Sequence, residues 1–283
     1  MFRFVIAGIV AILMVLVLYV VTSYHSFKKM VLEEAAILAE VESAEEKSVT
    51  EAQLQGLPAP VKKYMEYTLF KGYPFIKLVK LKHKGSFRRG PGKEWLEIEG
   101  TEYFDARRPG FVWYGKMKMK HRLWVCARDK YINREGRMTI KLLSTVTLAD
   151  DFSDELAISA LLRYMGEALW FPTMLLQKDY IRWEALDEHS ALAVILDGTN
   201  ITSGVFHFNN EGQAVKFTTS NRYMYFNGSY IQVPFTGYFH DYREVNGIII
   251  PMVVEAEWNL ESGDFKYARF EVTEVEYDNF KKE

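Results

Sequence analysis

Cysteine is nearly missing from this chain of 283 residues: Cys126 stands alone. That excludes an internal disulfide framework and any multi-cysteine metal site. Its setting, LWVCARD, is that of a strand, where a lone thiol packs as a small hydrophobe rather than serving as a nucleophile. An excess of one charge sign is missing too. Lys and Arg number 35 against 37 Asp and Glu, for a formal net charge of −2, which leaves no clustered basic excess for nucleic acid. The six histidines never fall at HxH or HExxH spacing, so no metal site is expected. There is no G-x-S-x-G elbow and no phosphate-cradling glycine loop; RRGPGKEW is a turn, because no helix comes after it. No catalytic residue and no cofactor are therefore expected.

Long apolar runs are scarce as well, with one exception. Phe4 to Val21 is eighteen residues without a charge or a proline. At about 1.5 Å per residue it spans roughly 27 Å, close to the hydrocarbon thickness of a bilayer. No amphipathic face and no A-x-A site are visible, so residues 1–24 read as an uncleaved, single-pass signal anchor rather than a cleaved signal peptide. The short N-terminal stub favours export of the C-terminal domain to the periplasmic side of an inner membrane, although Arg3 against Lys28 and Lys29 barely separates the two topologies.

Residues 25–55 read as an acidic spacer helix to about Lys47, carrying Glu33, Glu34, Glu40, Glu42, Glu45 and Glu46. Two or three apolar turns (Met30, Ile37, Leu38, Val41) offer the alternative of pairing with a second copy. GLPAP (56–60) then breaks the chain and opens one β-rich domain over 56–283. On this reading, removing residues 1 to about 50 leaves a soluble fold.

From Pro74 the period changes to two. Phe111, Trp113, Gly115, Met117 and Met119 alternate with Tyr114, Lys116, Lys118 and Lys120, the pattern of a strand with one apolar and one basic face. Turn signals such as Asn227-Gly228, Asn246-Gly247 and Ser262-Gly263-Asp264 separate strand-like runs, about five before the central helix and about seven after it. The expected architecture is mainly β with helices: one curved antiparallel sheet of about 11–12 strands around one buried helix.

That helix covers about 153–176. Ser153 is its N-cap, Asp154 and Glu155 suit its first turn, and Pro172 ends or kinks it at Trp170–Phe171. Glu155, Ser159, Arg163 and Glu167 form one narrow polar stripe on an otherwise apolar surface, as on a helix buried in a core. Arg163 and Glu167, four apart, are either an ordinary intrahelical pair or a buried pair that fixes the helix or holds a polar headgroup. If both side chains turn inward, Glu167→Ala should destabilise the domain far more than Glu155→Ala, and Arg163→Met with Glu167→Leu should recover much of the loss. With Trp113, Met117 and Trp170, these two are the candidate ligand-binding residues. Asp150, Asp151 and Asp154 are the carboxylates one would pair for acid–base work, but helix starts attract acids anyway.

LPAPVKKYMEY (57–67), GPGKEW (90–95), PGFVW (109–113), RYMGEALWFPTMLL (163–176) with Trp183, and DYREVNGIIIP (241–251) resemble the recurring blocks of a mainly bacterial, membrane-anchored family built on a domain of unknown function. The resemblance runs from about residue 54 to 278. It implies a fold similar to the LolA/LolB-type lipoprotein-carrier half-barrels, a curved sheet with helices in its concave face, and it brings no site residues. The transmembrane anchor departs from those carriers, which are soluble or lipid-anchored. The function expected is a membrane-anchored, non-enzymatic domain binding a lipid or acyl chain in a half-barrel cavity. An envelope scaffold without a small-molecule ligand is the alternative, and a carboxylate–histidine hydrolase comes last. The partners are then the membrane and the apolar ligand, not nucleic acid; oligomeric state is left open.

Overall fold

A computed structural model describes residues 2–40 and 47–278. Val41, Glu42, Glu45 and Glu46, assigned above to the spacer helix, lie outside the described residues. Helix α1 (Phe2–Ala39) is followed by two short helices, α2 (Glu51–Gln55) and α3 (Ala59–Thr68). Six strands come next: β1 (Leu78–Phe87), β2 (Leu96–Asp105), β3 (Phe111–Lys118), β4 (Trp124–Ile132), β5 (Glu135–Leu142) and β6 (Val146–Phe152). Helix α4 (Asp154–Glu167) separates them from β7 (Ile181–Ala185), β8 (Ser190–Asp197), β9 (Asn200–Phe208), β10 (Ala214–Thr219), β11 (Tyr223–Phe226) and β12 (Ser229–Gln232). Three long strands close the chain: β13 (Phe235–Val245), β14 (Ile248–Leu260) and β15 (Gly263–Tyr277).

Thirteen strands form one antiparallel sheet in the order β6-β5-β4-β3-β2-β1-β15-β14-β13-β10-β9-β8-β7, and β11–β12 form a separate hairpin. The sheet is slightly larger than the sequence pattern predicts, for one local reason. β6, VTLADDF, is an edge strand exposed along most of its length, so it lacks the alternation that marks a half-buried strand. The β11–β12 hairpin is short and stands outside the sheet. The turns obey their signals: Asn227-Gly228 and Asn246-Gly247 both take the left-handed conformation that reverses a two-residue hairpin.

Helix α4 crosses the concave face. Ser153 caps it, its side chain accepting from the Leu156 amide at 3.2 Å. Phe171 leaves helical geometry at φ −142°, ψ 65°, one residue before Pro172, and two 3-10 turns (Ala168–Trp170 and Pro172–Leu176) carry the chain on. The main core lies here, with Leu161, Leu162, Tyr164, Met165, Trp170 and Phe171 packed against the inner faces of the strands.

The outer face corrects one expectation. Residues 25–39 are not a solvated spacer: they continue α1 without a break and bury Phe27, Val31, Ala35 and Leu38 against Tyr103, Val112, Tyr114, Cys126 and Ile132. β3 is consequently buried on both faces. The basic face predicted from Tyr114, Lys116 and Lys118 is covered in part, with the Lys116 ammonium over the Tyr24 and Trp124 rings at 4.9 and 4.8 Å. Polar contacts fix the same seam: Lys130 Nζ donates to Glu34 at 2.8 Å and Arg107 Nη2 to the Leu38 carbonyl at 2.7 Å. Tyr24 sits against Trp124 at one end of β3, and Leu38 reaches Gly110 at the other. Fourteen helical steps cover about 21 Å and six strand steps from Gly110 to Lys116 about 20 Å, so helix and strand lie side by side and antiparallel.

Candidate functional site

Between α4 and the concave face lies a cavity of about 480 Å³. All five residues singled out from the sequence, Trp113, Met117, Arg163, Glu167 and Trp170, are on its wall. The rest of the lining is mostly apolar: Met119, Val125, Ala127 and Ile140 from one half of the sheet, Phe217, Phe239, Val254 and Phe270 from the other. Period-two alternation explains the placement, because Trp113, Met117 and Met119 share the inner face of β3 and its extension.

The charge is concentrated around one guanidinium. Arg163 Nη2 donates to Glu102 Oε1 at 2.8 Å, Nη1 to Asp129 Oδ2 at 2.9 Å and Nε to Glu167 Oε1 at 2.9 Å. The same guanidinium lies over the rings of Phe111 and Trp113 at 5.1 and 5.0 Å. The pair expected from the helix is thus one arm of a four-membered cluster. Glu102 (β2) and Asp129 (β4) carried no sequence signal, since their partner is 61 and 34 residues away.

Three carboxyls around one cation leave an excess of negative charge in a desolvated place. Glu102 is 1% exposed, and burial raises its pKa well above the usual carboxylate range; Arg163 opposes this, while Glu167 and Asp129 add to it. Burial also raises Glu167 against the pull of Arg163. Glu167 Oε2 finds no donor among the fixed N–H and O–H groups. The hydrogen bond between the two carboxyls raises Glu102 further and lowers Glu167. Burial works against the charge of Arg163, but its carboxylate neighbours, Glu102 foremost, overcome this and hold its pKa well above the ordinary value.

Behind Trp113 sits His83, 3% exposed. It accepts a hydrogen bond on Nε2 from Trp113 Nε1 at 2.8 Å and stacks on Phe270 at 4.2 Å between centroids. Burial, helped by Arg163, lowers its pKa to about 3, so it is neutral. Glycines make this layer fit. Gly100 pairs with His83 on one side and with Gly115 on the other. A Cβ on Gly100 would lie 2.2 Å from the imidazole, and one on Gly115 would lie 2.4 Å from the Trp113 ring. His207, by contrast, pairs with Thr218 at 3.0 Å, and His240 faces Glu255 at 3.7 Å with its side chain half exposed. Asp150 is paired with Arg137 at 2.7 Å and Asp151 with Tyr230, so neither faces the other across a reaction site. Among the described residues no group of three or more His, Cys, Asp or Glu could hold a metal ion.

Fold and site together define a mainly β half-barrel whose curved sheet and crossing helix enclose an apolar cavity with one buried ion cluster. The chain belongs to a family of unknown function, DUF6544, whose model matches residues 47–270. No curated protein matches it. Among solved structures it is similar to a LolA superfamily protein from Nitrosomonas europaea, at 10% identity and a TM-score of 0.45, over 80% of this chain and 96% of that one. A DUF1329 family protein from Desulfovibrio piger is also similar, at 8% identity and a TM-score of 0.37, over 83% of this chain and 96% of that one.

Proposed function

We propose that this chain is a membrane-anchored, non-enzymatic domain that holds an apolar ligand, a lipid or acyl chain, in the half-barrel cavity. The observation that carries the reading is the cavity itself. Its 480 Å³ falls within the roughly 300–1,000 Å³ typical of ligand pockets, and its wall is apolar and aromatic except around Arg163 and near the mouth. A core filled only by its own side chains would leave few voids larger than a water molecule.

Helix α1 supports the anchor. It is the one helix among the described residues long and apolar enough to cross a membrane, with mean hydropathy 3.2 in its best window, and that window is 0% buried by the rest of the chain. Its 38 residues span about 57 Å, nearly twice the hydrocarbon thickness of about 30 Å. The remainder is the part packed on the sheet. A scaffold would present an outer apolar patch; the apolar outer residues of β2, β3 and β4 are covered by α1.

The test is native mass spectrometry of the detergent-extracted full chain, comparing wild type with Gly237→Leu and Ala127→Leu. Both positions line the cavity, and a Cβ on Gly237 meets only ordinary contacts at 3.7 Å and beyond, so a larger side chain grows into the void. Wild type should carry a lipid-sized adduct that the folded variants lose. An empty wild-type cavity, or variants with the same lipid load, would refute the reading.

A further inference from the structure

The cavity and the membrane helix meet at the same end of the sheet. Phe87 pairs with Leu96, Lys118 with Trp124, and Leu142 with both Val125 and Val146. These positions mark one edge, where the β1–β2, β3–β4 and β5–β6 connections lie. The most exposed cavity-lining residues, Arg89 and Leu148, lie at that edge, whereas Arg163 and Glu167 lie deep, on α4. Tyr24 of α1 packs edge-on against Trp124 at the same edge. The helix therefore leaves the domain past the mouth, not past the closed end.

Helical rise sets the depth. Val21, the last residue of the apolar run, is three steps before Tyr24, about 4.5 Å. The β3–β4 hairpin continues beyond Lys116 and Trp124 by a comparable or greater distance at about 3.3 Å per residue. Its tip thus reaches at least the level at which the apolar run closes, where the headgroups of a spanned bilayer begin.

The chemistry of this edge suits that position. Residues 116–124, KMKMKHRLW, and 141–148, KLLSTVTL, hold five Lys or Arg and no acid. Lys118 and Lys120 do contact Glu99 and Glu94, but Lys116 and Lys141 lie over the aromatic rings of the α1 seam. Leu123, Val146 and Leu148 are 39%, 56% and 55% exposed, beside the basic side chains. Basic residues flanking exposed aliphatics next to a membrane span are the composition that seats on anionic headgroups.

Building on the proposed anchor and cavity, we propose that the cavity mouth faces the bilayer that α1 spans. The β3–β4 and β5–β6 hairpins rest on its anionic headgroups, so that an acyl chain enters from the membrane itself. Lys116, Lys120, Arg122 and Lys141 bind the headgroup layer, and Leu123, Val146 and Leu148 dip into it.

The experiment places a spin label on the full chain at Leu123→Cys, Val146→Cys or, at the opposite edge, Glu135→Cys, the native Cys126 being buried. Each protein is reconstituted in phosphatidylcholine vesicles with and without phosphatidylglycerol. Collision with oxygen, which concentrates in lipid, is compared with collision with a water-soluble nickel chelate. The oxygen-to-nickel ratio at 123 and 146 should exceed that at 135 several-fold. It should rise with phosphatidylglycerol, and that rise should vanish in Lys120→Gln/Arg122→Gln. Equal, water-like ratios at all three sites would overturn the proposal even if lipid co-purifies with the protein. Headgroup-level ratios at 123 and 146 with an empty cavity would uphold this orientation while removing the ligand reading.

Discussion

Replacing Arg163 by methionine should be among the most damaging single changes in the domain. The guanidinium holds Glu102, Asp129 and Glu167 at 2.8–2.9 Å, with side-chain exposures of 1%, 10% and 15%. At about 4 Å between charge centres and an effective dielectric of about 20, each attraction is worth about 4 kcal/mol before desolvation and mutual repulsion are counted. Breaking a buried pair from one side typically destabilises by about 3–5 kcal/mol, and here one change strands three acids. Glu167→Ala should do much less, about 1–2 kcal/mol, because Arg163 keeps two carboxyl partners and the excess negative charge falls. Glu155→Ala, at the half-exposed first turn of the same helix, should lie below about 1 kcal/mol. The double change Arg163→Met with Glu167→Leu should recover little. An isolated pair would be rescued by it, whereas Glu102 and Asp129 remain buried without a cation. Urea denaturation of the five proteins, monitored by tryptophan fluorescence in detergent, measures the differences. Near wild-type stability in the double variant would refute the four-membered cluster.

The same geometry sets two further outcomes. Glu102 has a raised folded-state pKa, so the native state holds its proton more firmly than the unfolded chain. Its contribution is complete below the ordinary value of 4.5 and is lost as pH rises through the folded pKa. Glu102→Gln should therefore stabilise the domain at pH 8, with the advantage shrinking as pH falls toward 4.5; a stability difference independent of pH would count against it. Deleting residues 2–21 should leave a folded, soluble domain, while deletion through residue 50 should not. The longer cut uncovers Tyr103, Val112, Tyr114 and Ile132 and removes Phe27, Val31 and Leu38, whose burial contributes about 5–9 kcal/mol. Size-exclusion profiles and thermal melts of the two fragments decide it.

Local rules carried much of this fold. The N-cap at Ser153, the break before Pro172, the Asn-Gly turns and the inward set of β3 (Trp113, Met117 and Met119) each depend on a few adjacent residues, and each stands in the structure as the sequence pattern implies. What failed to show was non-local. The outward residues of β3 look like a solvated basic face because nothing nearby says that α1 will return to cover them. Met30, Leu38 and the scattered glutamates of α1 read as a weak amphipathic spacer because their partners, Tyr114, Lys130 and Arg107, lie about 70 or more positions on. The site divides in the same way. Trp113, Met117, Arg163, Glu167 and Trp170 could be named from two elements with clear periodicity. Glu102 and Asp129 sit among strand residues whose inward polarity is visible only once register is known. The one hint was available in the glycines: Gly100 and Gly115, in strand interiors where glycine weakens a sheet, marked a place where large rings approach.

The unbroken course of α1 also bears on kinetics. A domain on a flexible tether samples a volume, and its encounter with the membrane depends on tether length through an effective concentration. Here the last helical turns are part of the domain's own shell, fastened by Glu34–Lys130 and Leu38–Arg107. If α1 spans the bilayer, rotation of the half-barrel about the membrane normal is rotation of the helix itself, and tilting requires the helix to tilt in lipid. Ligand exchange with that bilayer would then be first-order, set by opening of the mouth rather than by diffusion. Transfer to any other acceptor would require the acceptor to travel laterally to the anchored protein.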